Sequence, residues 1–179
     1  MSDYLHLVGK PELSAAQQAA LVAVRRVLDQ ARPAGVEPAA TSACVPKNSL
    51  RMTIPHIADP EMRLEISAEV WGEVGLYCSS LGDDFYAKFD DPYEPWENAG
   101  DLSDAVELVR AVLEGRVEAR VSTFRGRVVR HELLVTDLSG NQESRGRHYH
   151  LPDAGLAYLG LARTRILRTS FHEAATHEQ

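Results

Sequence analysis

His148 and His150 flank Tyr149. Alternate side chains of a strand share a face, so the two imidazoles would stand about 7 Å apart at the backbone. That spacing lets both reach one transition metal, provided that further ligands arrive from elsewhere. A third ligand would have to come from His131, Glu132, Glu143 or His172. An isolated His-x-His pair describes a solvated strand better than a metal centre, because a competent site normally needs three or four oriented ligands. The expectation is therefore no tightly bound metal. His148 and His150 are kept as the only metal candidates, and they carry the alternative reading of a metal-dependent enzyme.

A second cluster lies in residues 83–101, DDFYAKFDDPYEPWENAGD, where seven carboxylates surround Phe85, Tyr86, Phe89, Tyr93 and Trp96. Phe85 and Phe89 have the spacing of strand residues that face a core, and Asp101 and Asp104 suit a helix N-terminus. Asp90, Asp91, Tyr93, Glu94, Trp96 and Glu97 are left without such an explanation. Large rigid aromatics in a prolyl loop give apolar anchor area to a partner, while carboxylates around them steer a basic one. These six residues are the expected contact surface for a basic protein partner.

The third series is Arg116, Arg120, Arg125, Arg127, Arg130, Arg145 and Arg147. On paired strands such arginines form a stripe that can grip phosphate or carboxylate in a two-pronged fashion. Glu118, Glu132 and Glu143 interleave with them and are natural cross-strand partners, so a largely neutralised surface is expected. A nucleic-acid adaptor is thereby the third reading. No catalytic residue is assigned, since the chain lacks GxSxG, SxxK, HExxH and a glycine-rich phosphate loop. No cofactor is implied.

Charge and composition set the frame for these clusters. Net charge is −7 over 179 residues, and the charged and apolar fractions of 25% and 44% are those of a globular protein. Residues 1–115 hold 9 Lys+Arg against 19 Asp+Glu, a balance of −10; residues 116–179 hold 10 Arg against 7 Asp+Glu, a balance of +3. An acidic total argues against non-specific nucleic-acid binding. Two cysteines, Cys44 and Cys78, without ligand spacing read as reduced thiols of a cytoplasmic protein, and whether they meet is open. No apolar run reaches the length of a membrane span and the N-terminus lacks a signal-peptide pattern. Length and acidity are those of bacterial toxin-neutralising immunity proteins, an analogy of size and charge alone.

The elements that must position these clusters follow from periodicity. Ser14 and Gln17 form a capping box ahead of a helix over Ser14–Ala31, with Ala20, Val24, Val27, Leu28 and Ala31 on one face and Arg25, Arg26 and Asp29 facing away. Residues 33–49 read as a long connection, followed by a short extended piece over Leu50–Ile54. From Arg63 the period becomes two, and three strands to Phe89 form an antiparallel meander. Asp101 caps a helix over Leu102–Glu114, Gly115 stops it, and Val117–Val121 and Arg127–Thr136 form a hairpin. Glu143–His150 is a further strand. Residues 153–171 stay open between helix and strand: Leu156, Leu159, Arg163, Ile166, Leu167 and Ser170 recur at helical spacing, Thr164–Phe171 also alternates as a strand would, and Ala154–Arg163 leans to helix. Residues 172–179 are expected to be a disordered tail. The whole reads as one α+β domain over 1–179: a two-layer sandwich of about five to six antiparallel strands with both helices on one face. Leu64, Ile66, Ala68, Val70, Val117, Ala119 and Val121 are expected on one buried face of that sheet.

Overall fold

The computed structural model describes residues 3–59, 61–81, 86–89, 101–125, 127–149 and 162–173, with the backbone alone for 86–89 and 145–149. In chain order the elements are β1 (His6–Leu7), α1 (Ala15–Ala31), β2 (Ser42–Cys44), β3 (Leu50–Pro55), β4 (Arg63–Ala68), β5 (Val74–Cys78) and β6 (Tyr86–Phe89). There follow α2 (Leu102–Leu113), β7 (Val117–Phe124), β8 (Arg127–Thr136), β9 (Gln142–Tyr149) and β10 (Arg163–Arg168). The fold is α+β, and its strands form two sheets. One has six strands in the order β1-β2-β3-β4-β5-β6; the other has four, in the order β10-β7-β8-β9. All pairings are antiparallel except that of β1 with β2.

α1 begins where its cap demands. The Ser14 hydroxyl accepts from the Gln17 amide at 3.2 Å, and the Gln17 carboxamide oxygen accepts from the Ser14 amide at 3.1 Å. Each side chain thus satisfies an amide that the helix itself leaves free. Gln17 is also buried, and its Nε2 donates to Asn48 O and Ala68 O, which ties the cap to the end of β4. Ala20, Leu21, Val24, Val27 and Leu28 form the buried face. Arg25 does not face away as its helical position suggests. Its guanidinium donates to the carbonyls of Tyr4 and Leu5 and holds the N-terminal segment against the helix. Leu5, fully buried with a left-handed φ of 57°, is fixed there by a 2.6 Å bond from its amide to the Thr41 hydroxyl. Contacts of this kind are what hold a non-glycine residue in that region.

The 33–49 connection carries structure of its own: a 3-10 turn at Pro38–Ala40 and strand β2. Beyond it, Leu50, Met52 and Ile54 of β3, Leu64, Ile66 and Ala68 of β4, and Val74, Leu76 and Cys78 of β5 form one buried face in register. Val70 departs from the expected set. It lies in the turn before Gly72, whose φ of +112° favours glycine, and it is 41% exposed. Val117 and Ala119 are fully buried but belong to the second sheet, and Val121 is half-buried there.

Asp101 caps α2 by accepting from the Ser103 and Asp104 amides, while Asp104 reaches back to the Asp101 amide. α2 packs on α1 and touches β5 and β6 of the first sheet and β8 of the second. One continuous cluster of buried apolar side chains joins both helices and both sheets and extends to Phe171. At the C-terminal end of α2, Gly115 adopts φ +70° and the His172 ring lies where a Cβ would project. β10 settles the ambiguous stretch after Arg163 as strand, while residues 154–161 and 174–179 lie outside the described residues. Among the described residues no helix is long and apolar enough to cross a membrane.

Candidate functional site

The inner face of the four-stranded sheet joins the core, so its polar side chains collect on the outer face. β7 alternates Val117, Ala119 and Val121 inward with Glu118, Arg120 and Ser122 outward. β8 sends His131 and Leu133 inward and Arg130, Glu132 and Leu134 outward, in register with β7. β10 contributes Thr164, Ile166 and Arg168 to the same side, opposite Ser122, Arg120 and Glu118. Three ranks of side chains result. Thr164, Ser122 and Arg130 form the first, Ile166, Arg120 and Glu132 the second, and Arg168, Glu118 and Leu134 the third.

A cavity of about 320 Å³ opens in this face, lined by Arg120, Ser122, Arg130, Glu132, Thr164 and Ile166. Its walls are tied together. Arg130 Nη2 donates to Glu132 Oε2 at 2.6 Å, and the Ser144 hydroxyl donates to Glu132 Oε1 at 3.2 Å. Glu132 is 4% exposed, so a charge-assisted donor is what makes its burial tolerable. The Ser122 and Thr164 hydroxyls lie 3.0 Å apart. In the third rank Arg168 Nη2 stands 2.7 Å from Glu118 Oε1. Arg120 sits at the centre, half-buried, and its guanidinium makes no hydrogen bond or ion pair with the described residues. Two cations and one carboxylate therefore line the cavity, leaving a local positive balance.

Among the described side chains the candidate metal ligands do not converge. His148 stands across from His131 in the β8–β9 register, but the His131 ring is buried with Nε2 3.2 Å from Leu81 O. Glu132 projects from the opposite face of β8 and is held by Arg130; Glu143 is exposed opposite Val135; His172 packs over Gly115 beyond β10. Among the described residues no three His, Cys, Asp or Glu side chains gather around a point. His150 lies outside the described residues, and so do Asp90, Asp91, Tyr93, Glu94, Trp96 and Glu97.

Compared with known proteins, the chain matches no family model, no curated protein and no solved structure.

Of the arginine series, Arg120 and Arg130 reach the cavity, whereas Arg116 is engaged by Glu114 and the Thr136 carbonyl. Arg125 stacks on Phe124, with its guanidinium carbon 5.3 Å from the ring centre. Glu118 takes Arg168 of β10 across the strands, and Glu132 takes Arg130 of its own strand; the side chains of Arg145 and Arg147 lie outside the described residues. Ser122, Thr164 and Ile166 were not legible as site residues. Their signal was the outward parity of Glu118, Arg120 and Ser122, which required β10 to be known as a strand before it pointed to a pocket.

Proposed function

We propose that this chain is a non-covalent protein-binding module whose recognition surface is the outer face of the four-stranded sheet around Arg120. One observation carries this reading: a half-buried arginine, Arg120, without a partner among the described residues lines a cavity whose Arg130–Glu132 and Ser122–Thr164 side chains are paired with each other. A cation that has no protein partner and keeps solvent access is open to an external anion, which can pair with it at the cost of displacing water. Half-exposed Ile166 beside it adds apolar area of the kind that a partner covers.

A second contact surface, at Asp90, Asp91, Tyr93, Glu94, Trp96 and Glu97, rests on composition: two large aromatics among four carboxylates suit a basic protein partner. The toxin-neutralising role belongs with that surface, since an acidic patch suits a basic toxin.

Chemical cross-linking and pull-down from the native host test both surfaces. Wild type, Arg120→Gln and the Tyr93→Ala, Trp96→Ala double variant are compared, and each captured protein is purified and titrated against the three chains. Loss of saturable binding in Arg120→Gln alone supports the sheet surface; loss in the double variant alone moves the function to the 90–97 segment. Equal affinity for all three removes both.

A further inference from the structure

We infer that the cavity centred on Arg120 is a carboxylate-binding pocket that receives one acidic side chain of a protein partner, which deepens the binding-module reading and rests on it. The size of the cavity, about 320 Å³, lies at the lower end for small-molecule sites and suits a single side-chain group rather than a nucleotide.

The lining specifies the rest. Arg120 offers a planar fork of N–H donors that matches the two oxygens of a carboxylate. Ser122, 5% exposed, and Thr164 place a hydroxyl pair beside it. One hydroxyl of such a pair can turn its proton to the ligand while still accepting from the other, because a hydroxyl both donates and accepts. Ile166 is directly opposite Arg120 on β10 and 50% exposed, so it faces the methylene stem of an acidic side chain.

Charge selects a monoanion. Arg130 is bound to Glu132 and Arg168 to Glu118, so among the described side chains Arg120 is the cation of this face without a protein partner. Glu118 and Glu132 each match one of the other two described arginines, so those pairs add no net positive charge to draw a chain of phosphates. A nucleic acid gains affinity by neutralising many phosphates at once, and among the described side chains of this face it finds one free cation. A partner that inserts one glutamate or aspartate finds a complete one.

The test uses the full chain and simple probes. Backbone amide spectra are recorded during titration with sodium isovalerate, whose branched tail and carboxylate mimic an acidic side chain. Isovaleramide serves as the neutral counterpart, and sodium phosphate and a short single-stranded oligonucleotide as other anions. The expected result is saturable, millimolar binding of isovalerate that shifts the amides of Arg120, Ser122, Thr164 and Ile166, with no response to isovaleramide. Arg120→Gln should weaken it about tenfold or more, as loss of a charge-assisted pair does, and Arg120→Lys should restore part of it. The amide spectrum of each variant reports whether it is folded. A non-saturable response to isovalerate, or tighter binding of phosphate or oligonucleotide on the same amides, overturns the carboxylate assignment. Failure of this pocket is distinct from failure of the binding-module reading. A partner that Arg120→Gln still captures as tightly as wild type removes the sheet surface even where isovalerate binds. A captured partner lost in Arg120→Gln, with isovalerate silent, keeps the surface and removes the pocket.

Discussion

Arg120 and Glu132 face each other across β7 and β8, yet the Glu132 carboxylate is held at 2.6 Å by Arg130 from its own strand. The β7 neighbour of Glu132 is thereby left to the cavity, and the Arg130–Glu132 pair is lopsided. Glu132 keeps 5% of its side-chain exposure and Arg130 keeps 29%.

That asymmetry orders two substitutions. Arg130→Ala leaves a carboxylate in a water-poor position with one strong donor fewer, whereas Glu132→Gln leaves a guanidinium able to turn towards solvent. Breaking a buried pair costs most when the buried partner is the one stranded, so Arg130→Ala should lose about 2 kcal/mol and Glu132→Gln less. Urea titrations of both variants check the order. An equal or reversed loss would show that Glu132 does not depend on Arg130.

Ile66 sits in the middle of β4, 1% exposed, between Met52 of β3 and Leu76 of β5. Ile66→Ala removes apolar volume where the flanking strands are hydrogen-bonded and cannot close in. The expected cost is about 2–5 kcal/mol by denaturant unfolding. A loss below about half a kilocalorie would contradict the burial of this strand face.

The middle of the first sheet was legible because Leu64–Ala68 alternates against one wet face and Val74–Cys78 resumes the pattern, and the Ser14–Gln17 capping box and the Asp101 cap are local patterns. The pairing of His6–Leu7 with Ser42–Ala43 was not, since strands of two and three residues carry no period. Arg25 shows a second limit: helical spacing fixes where its Cα stands, but its long side chain turns back to the Tyr4 and Leu5 carbonyls. Arg163–Arg168 offered helix and strand spacing at once, and pairing with β7 decided it. Because that strand brings Thr164 and Ile166 to Arg120, the pocket stayed hidden while the arginine series itself was visible.

Asp137 gives the hairpin between β8 and β9 an acid-sensitive lock. The Asn141 amide and carboxamide are the main cause of its lowered pKa, and the Ser139 and Gly140 amides add to it. A lowered folded-state pKa means that the contribution is present above the unfolded carboxylate value, about 3.9, and is lost as pH falls through the folded value. The Asp137 side-chain carbon resonance should therefore titrate with a midpoint below that of a free aspartate. Protection of the Asn141 amide from hydrogen exchange should fall in the same acid range. In Asp137→Asn, which keeps the acceptor carbonyl but cannot ionise, this loss should vanish. A midpoint at or above the free value would mean that the loop bonds do not favour the charged form.

Cys44 and Cys78 differ in a way that thiol chemistry reads directly. Cys44 pairs with Arg51 on the outer face of the first sheet, and Cys78 pairs with Leu64 in its buried face. Three strand spacings separate β2 from β5, about 14 Å, twice the roughly 7 Å that a disulfide spans between Cα atoms. Both thiols are free. Burial pushes the Cys78 thiol up from its ordinary value, and its bonds with Ser80, with Sγ and Oγ 3.2 Å apart, offset that only in part. The thiolate is the reactive form, so Cys78 is shielded twice, by access and by ionisation. An aromatic disulfide reagent at mildly alkaline pH should modify Cys44 in the folded protein within minutes. Cys78 should react only as fast as the first sheet opens, and denaturant should bring it to the rate of Cys44. Substituting Cys44→Ser should remove the fast phase and leave the slow one. Two equal fast phases in folded protein, or an internal disulfide formed under mild oxidant, would contradict the placement of both residues.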